Sequence, residues 1–217
     1  MEGSDVLWSS FYPLILPEVG GCPEPVVDAH LLRAAADFCD TTQLWVTSLT
    51  AINAVSGTGE YALTSPVSET VVCGISELWY LNERMKFIPV SQMRRYSTHW
   101  PSDQGQVIGY TQLAENAVTL YRKPAVSTAS AIKINAVIRP SHTATGLADW
   151  IGQKHFDTLV AGAKARLMAM IGAPWANPQG SALYAGIYNV AVQSVVAERA
   201  GGRSRDRLSS PTGGGEQ

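Results

Sequence analysis

The sequence predicts an α+β fold: a helical bundle, formed by an N-terminal helix and two C-terminal helices, with an inserted antiparallel β-rich domain. Apolar residues recur at helical spacing near the N-terminus and again after Pro140. The chain between these regions is rich in β-branched residues and tyrosine, interrupted by Gly, Pro, Asn and Asp. Because helices and strands are segregated along the chain, the pattern favours α+β over an alternating α/β arrangement.

The same pattern predicts the domain boundaries. We expect an N-terminal arm at 1–22, a helical bundle domain from 23–45 and 146–200, an inserted β-rich domain at 46–145, and a flexible C-terminal tail at 201–217. Within the arm, the apolar stretch 11–19 contains two prolines, which limit regular pairing and favour an extended or docking segment.

The first helix is predicted to begin at Pro23-Glu24-Pro25 and to end between 42 and 45. Proline is tolerated in a first helical turn, and Glu24 suits the positive end of the helix dipole. Its apolar face consists of Val27, Leu31, Ala34, Phe38, Thr41 and Trp45.

The β-rich region predicts six strands, with a short helix over 90–96 capped by Ser91. The expected strands are 45–51, 60–63, 71–81, 107–112, 117–122 and 131–139. The last is the clearest, because Ile132, Ile134, Ala136 and Ile138 alternate with residues of the opposite face.

Two helices are predicted after Pro140. The first is capped near Thr145 and ends at Gly172, and the second begins at Asn177-Pro178 and ends near Ala200. The apolar face of the first is Phe156, Leu159, Ala163, Leu167 and Met170, and that of the second is Leu183, Ile187, Val190, Ser194 and Ala197. Residues beyond 200 are rich in Gly, Ser and Arg, a composition typical of disorder.

Composition excludes several functional classes. The formal net charge is −2, so no global basic field attracts nucleic acid or acidic lipid. No stretch approaches the roughly 18 uncharged apolar residues that span a bilayer, and the first ten residues do not resemble a signal peptide. The three cysteines lack CxxC spacing, which argues against a disulfide framework or a zinc site. Only 16% of residues are charged, a low fraction that suggests surface covered by neighbouring subunits.

No constellation of residues predicts catalysis, a cofactor or a metal. His30 and Cys39 lie more than two helical turns apart. Cys39 is expected to be a small buried residue, and His155 a packed or boundary histidine. The segment Gly57-Thr58-Gly59-Glu60 lacks the lysine and spacing of a phosphate-binding loop and is interpreted as a turn. We therefore expect a non-enzymatic protein.

The order of features along the whole chain resembles the head-to-tail adaptor family of tailed phages. The resemblance runs from an apolar arm, FYPLILPEVGGCPEPVV, into the helix DAHLLRAAADFCDTTQLW, and through a variable β region containing ISELWYLNERMKFIPVS, VTLYRKP and IKINAVIRP. It ends in the helices HFDTLVAGAKARLMAMIGAPWANP and AGIYNVAVQSVVAERAGG.

The resemblance implies a structural virion protein of the neck, assembled in the host cytoplasm. It implies a homo-oligomeric ring, commonly a dodecamer, which contacts the portal protein and tail or tail-fibre proteins while DNA passes through its lumen without sequence-specific binding. We expect Arg199, Arg203, Arg205 and Arg207 to bind the portal. Another neck or tail protein, such as a stopper, tail-completion or tail-tube subunit, and a small enzyme with an unrecognised site remain alternatives.

Overall fold

The computed structural model describes residues 5–200, which form six α-helices, one 3-10 helix and thirteen strands. The 3-10 helix is Trp8–Phe11, and the helices are α1 (Tyr12–Ile15), α2 (Glu24–Thr42), α3 (Val90–Tyr96), α4 (Asp149–Lys154), α5 (Phe156–Met168) and α6 (Pro178–Ala200). The strands are β1 (Val6–Leu7), β2 (Val46–Ser48), β3 (Ile52–Ala54), β4 (Glu60–Ala62), β5 (Thr70–Tyr80), β6 (Glu83–Arg84), β7 (Lys86–Phe87), β8 (Gln104–Gly105), β9 (Gly109–Ala114), β10 (Ala117–Tyr121), β11 (Lys123–Pro124), β12 (Thr128–Pro140) and β13 (Gly146–Leu147).

The predicted fold class, an α+β helical bundle with one inserted β domain, is wrong. The chain is a mixed α/β structure with about 39% helix and 29% strand, with several sheets, one of them curled into a half-barrel. The larger of two hydrophobic clusters runs from Trp8 through the sheets to Val192, so helices and strands share a core. The alternation in β12 hid this, because Val137, on the face opposite the isoleucines, is buried as well.

Strand β12 organises the larger sheet. It pairs antiparallel with β5, from Ile132 opposite Tyr80 to Pro140 opposite Thr70, and holds β2 and β3 along its other edge. A second sheet has the order β4-β10-β9-β7. Two short pairs, β1 with β13 and β8 with β11, tie distant parts of the chain together.

The segment predicted as an extended arm is helical and lies in the core. Pro13 stands in the first turn of α1, where its missing amide hydrogen leaves no helical bond unmade. Trp8, Phe11 and Ile15 are buried, and the indole of Trp8 donates a hydrogen bond to the carbonyl oxygen of Ala144 at 2.7 Å. These three side chains therefore pack within the chain itself.

The sequence predicted the positions of the helices better than it predicted their ends and caps. Helix α2 begins at Glu24 and α3 spans the predicted range, but α3 has Pro89 at its N-cap and not Ser91. The first C-terminal helix divides at His155 into α4 and α5, and its cap is Ala148 and not Thr145, whose hydroxyl bonds Glu69 instead.

Helix α5 contacts α1, α2, α4 and α6, and Gly162 lies where it meets Tyr188 of α6 and Ala34 of α2. A Cβ atom at Gly162 would lie 2.7 Å from Cδ2 of Tyr188 and 3.1 Å from Cβ of Ala34. A Cβ at Gly186, on the outer side of α6, would meet no described atom within 4 Å. The two glycines therefore form a matched pair in neighbouring helices.

We expect Gly162→Ala to lower the free energy of unfolding by about 1–2 kcal/mol, because overpacking outweighs the gain in helix propensity. Gly186→Ala is expected to raise it by about 0.5–1 kcal/mol, because only the propensity gain applies. Urea denaturation of both variants measures the difference. Destabilisation by both substitutions would contradict the open space at Gly186.

Candidate assembly surface

Helix α6 is fixed to the rest of the chain along one side. Oδ1 of Asn177 accepts a hydrogen bond from the amide of Gly180 at 3.0 Å, which confirms the predicted cap followed by proline. The hydroxyl of Ser181 donates to the carbonyl oxygen of Ala165 at 2.8 Å. Further along, the hydroxyl of Tyr188 donates to the carbonyl oxygen of Ala34 at 3.0 Å, which joins α6 to α2.

A charged group anchors the middle of this inner side. Lys164 of α5 is only 7% exposed at its side chain, and Nζ donates to Oε1 of Glu18 at 2.7 Å. The other oxygen of Glu18 accepts from the Tyr184 hydroxyl at 2.5 Å, and Nζ of Lys164 lies 4.9 Å from the centre of the Tyr184 ring. Glu18 therefore joins the N-terminal segment to both α5 and α6.

The opposite side of α6 has no partner among the described residues. Leu183, Ile187 and Val190 are 63%, 48% and 73% exposed, while only Tyr188 and Val192 of this helix are buried. We call Leu183, Ile187 and Val190, with the neighbouring Gly186, the α6 outer face. The apolar face predicted from the sequence is thus the exposed one, and the inner side uses tyrosines that the periodicity did not single out.

The composition of α6 separates it from an ordinary surface helix. Residues 178–197 contain no charged side chain, whereas a helix that borders solvent usually presents charged residues there. Leu14, 47% exposed, lines a groove with Ile187 and extends the apolar surface toward α1. No helix in residues 5–200 is both long and apolar enough to cross a membrane. An exposed apolar surface of this kind is typical of a protein-protein contact.

The arginines predicted to bind a portal are placed only in part. Nη1 of Arg199 donates to the carbonyl oxygen of Thr42 at 2.9 Å, where it satisfies the C-terminal end of α2. Its guanidinium is thus engaged within the chain. Arg203, Arg205 and Arg207 lie outside the described residues.

A crevice of about 740 Å³ lies between α2, the β9–β10 turn and the end of β12. Arg139 projects into it and is bound by Oδ2 of Asp40 at 2.5 Å and by Oε2 of Glu115 at 3.0 Å. Two carboxylates neutralise the one guanidinium. The arrangement is therefore best explained as a clamp that holds the β9–β10 turn and β12 against α2.

The residues considered for catalysis do not come together. Burial raises the pKa of the Cys39 thiol, and burial followed by a hydrogen bond with Asp40 raises the pKa of Cys73 to about 12, so both stay protonated near neutral pH. His155 is buried against the ring of Phe38, as expected, and burial lowers its pKa. Within the described part of the chain, no group of three His, Cys, Asp or Glu residues is suited to hold a metal ion.

The chain matches no protein-family model, and no curated protein matches it significantly.

Proposed function

We propose that the protein is a structural subunit of a ring-shaped viral assembly, a head-to-tail adaptor between portal and tail. The observation that carries the proposal is the α6 outer face, an exposed apolar surface on a helix without charged residues from 178 to 197. The order of sequence features that resembles the adaptor family supports the same assignment.

The partner of the α6 outer face in this proposal is a second copy of the chain. A closed ring uses heterologous contacts, in which one surface docks on a different surface of the adjacent copy. Gly186 lies among the exposed apolar residues and leaves room for the close approach of a neighbouring backbone. Each subunit then buries its own outer face and covers another surface of its neighbour.

Charged substitutions on the α6 outer face test the contact. We expect Leu183→Glu with Val190→Glu to leave the subunit folded but to abolish ring formation, because two carboxylates would be buried without partners. Mass photometry of the subunit assembled with its portal protein measures the copy number. Val126→Glu is the matched control, since Val126 is 69% exposed and lies in the β region. Rings that form equally well with both variants would refute the role of this surface.

Electron microscopy of purified virions, with the chain located by a fused tag, separates an adaptor from other neck proteins. We expect a ring of this chain directly beneath the portal. A position in the tail tube, or one copy per virion, would overturn the adaptor assignment. Portal binding by Arg199, Arg203, Arg205 and Arg207 stays a prediction, and the hydrogen bond of Arg199 to Thr42 makes the other three the stronger candidates.

A further inference from the structure

Two crevices join into one groove along α2. The crevice of about 740 Å³ beside the β9–β10 turn is lined on one side by Ala29, Leu32 and Ala36 of α2. A second crevice, of about 460 Å³, lies between α2 and the N-terminal segment. Ala29, Leu32 and His142 line both crevices, so the two are continuous. We call this channel the α2 groove, and Ala29, Leu32 and Ala36 its helical wall.

The α2 groove suits an uncharged partner. Leu7 is 52% exposed in the smaller crevice, and Val71 is 36% exposed in the larger one. Arg139, which also lines the larger crevice, is neutralised by its two carboxylates. Arg33 is exposed on α2, where its guanidinium can stay in water while its stem covers apolar surface. An apolar helix without charged residues would therefore fit this lining.

The helical wall of the groove faces away from α5. Ala34 marks the side of α2 that meets α5, because its Cβ would lie 3.1 Å from a Cβ added at Gly162. At about 100° per residue, Leu32 and Ala36 are each turned about 160° from Ala34 around the helix. The groove therefore lies on the side of α2 opposite its contact with α5 and α6.

The α6 outer face points in the other direction. Tyr188 packs toward α5 and α2, and Leu183 and Val190 are turned about 140° and 160° from it around α6. The subunit thus presents an exposed apolar helix on one side and an open groove on the opposite side. Copies that repeat a contact between these two surfaces all keep the same orientation, which is the heterologous arrangement of a ring.

The two surfaces also match in length and spacing. The wall residues of α2 are separated by three and then four positions, and the α6 outer face, followed from Val190 back to Leu183, has the same spacing. Each set extends over about 10 Å of helix. Anchors at such spacings are how an amphipathic helix binds in a groove. With the helices antiparallel, the central residues Leu32 and Ile187 lie nearest each other.

We propose that the α2 groove receives the α6 outer face of the adjacent copy, with the two helices antiparallel. This inference rests on the proposed ring and deepens it, because it names the second surface of each contact between subunits. A symmetric contact of α6 with α6 would instead close a pair and leave the groove empty.

Crosslinking between cysteines placed on the two surfaces tests the contact in the portal-bound assembly. The full chain carries Ile187→Cys and Leu32→Cys together and is treated with a bismaleimide that spans about 10 Å, a separation typical of packed helix axes. We expect a series of covalent oligomers on denaturing gels. Cys22 and Cys39 are buried, and burial raises the pKa of Cys73 to about 12, so the native thiols react slowly.

Mixing the two single variants separates a head-to-tail contact from a symmetric one. We expect subunits with Ile187→Cys and subunits with Leu32→Cys to give covalent dimers when mixed, and neither variant to crosslink alone. Crosslinking of Ile187→Cys alone would mean that α6 packs on α6 and would overturn the proposal. The matched control is Ile187→Cys with Val126→Cys, since Val126 is 69% exposed in the β region. Equal crosslinking in this control would also overturn it.

A substitution that blocks the groove gives a second test. Ala29 is exposed, so Ala29→Arg is expected to leave the thermal unfolding midpoint of the subunit unchanged and to abolish ring formation, because a guanidinium would be buried without a partner. Thr41→Arg is the matched control, since it adds the same charge at an exposed site of α2 that does not line the groove.

The outcomes distinguish this contact from the proposed function itself. Complete rings of Ala29→Arg, or rings of the double cysteine variant without crosslinks, would overturn the α2 groove contact and leave the adaptor assignment intact. Complete Ala29→Arg rings in virions that lack tails would assign the groove to a tail protein instead. Failure of the unmodified chain to form a ring would overturn both.

Discussion

Replacing Phe38 with alanine is expected to lower the free energy of unfolding by roughly 3–5 kcal/mol. The Phe38 side chain has no exposed surface, and its ring lies 4.8 Å from the imidazole of His155, where α4 meets α5. Removing the ring leaves a cavity between two elements that the ring itself holds together. Since a domain is stable by only about 5–15 kcal/mol, this one substitution would remove a large part of the stability.

Urea denaturation followed by tryptophan fluorescence measures this effect. The matched control is Phe87→Ala, the same substitution on strand β7, where the side chain is 56% exposed and contacts Tyr110 by its edge. We expect the control to change the free energy of unfolding by about 0.5 kcal/mol or less. Similar losses in both variants would contradict the burial of Phe38 between the helices and the sheet.

The elements that the sequence predicted well are those whose signals are local. Helix α2 has its start, its apolar spacing and its length within one stretch of chain, and α3 follows Pro89 over the predicted range. The alternating isoleucines of β12 likewise mark one buried side without knowledge of any partner. These patterns depend on backbone geometry alone, so they survive whatever tertiary arrangement the chain adopts.

The fold class was missed because both sides of a strand or helix can be buried. Val137 was assigned to the face of β12 opposite the isoleucines, yet it is only 2% exposed. In α6 the opposite error occurred, because the periodicity selected Leu183, Ile187 and Val190, while Tyr188 and Val192 face the core. A helix with apolar residues on two sides gives no local signal for which side its own chain will cover.

The candidate surfaces show the same limit. The absence of charge from 178 to 197 was readable in the sequence, but its meaning depends on α6 being exposed, which only the tertiary structure shows. The same holds for α3, which packs through Met93 and Tyr96 on Tyr121, a residue that no spacing rule connects to α3.

The buried charge of Lys164 is the second site where a single change should have a large effect. We expect Glu18→Gln to lower the free energy of unfolding by about 3 kcal/mol, the lower end of the cost of a broken buried pair, because the Glu18 side chain is itself 42% exposed. The ammonium group would stay in the interior with an amide in place of its carboxylate. Chemical denaturation at neutral pH measures the loss.

A double-mutant cycle separates the cost of the unpaired charge from the loss of the contact. Lys164→Met removes the cation and keeps an unbranched apolar stem. We expect it to lower the free energy of unfolding by less than about 1 kcal/mol, because Glu18 still reaches solvent and still accepts a hydrogen bond from Tyr184. With methionine at 164, the further change Glu18→Gln should then have little effect. Equal losses in the two single variants, with additivity in the double variant, would show that the charge of Lys164 is not the cause.

The pH dependence of the stability of Glu18→Gln tests the same ion pair independently. The hydrogen bond from Lys164, followed by that from Tyr184, holds the pKa of Glu18 below its ordinary value. A carboxylate with a lowered pKa in the folded state contributes stability that is fully present above its unfolded pKa and is lost as the pH falls through the folded value. The difference in the free energy of unfolding between the wild-type chain and Glu18→Gln should therefore be constant near neutral pH and should become smaller in acid. If this difference became larger as the pH falls, the fold would stabilise the neutral form of Glu18. That result would contradict the ion pair with Lys164.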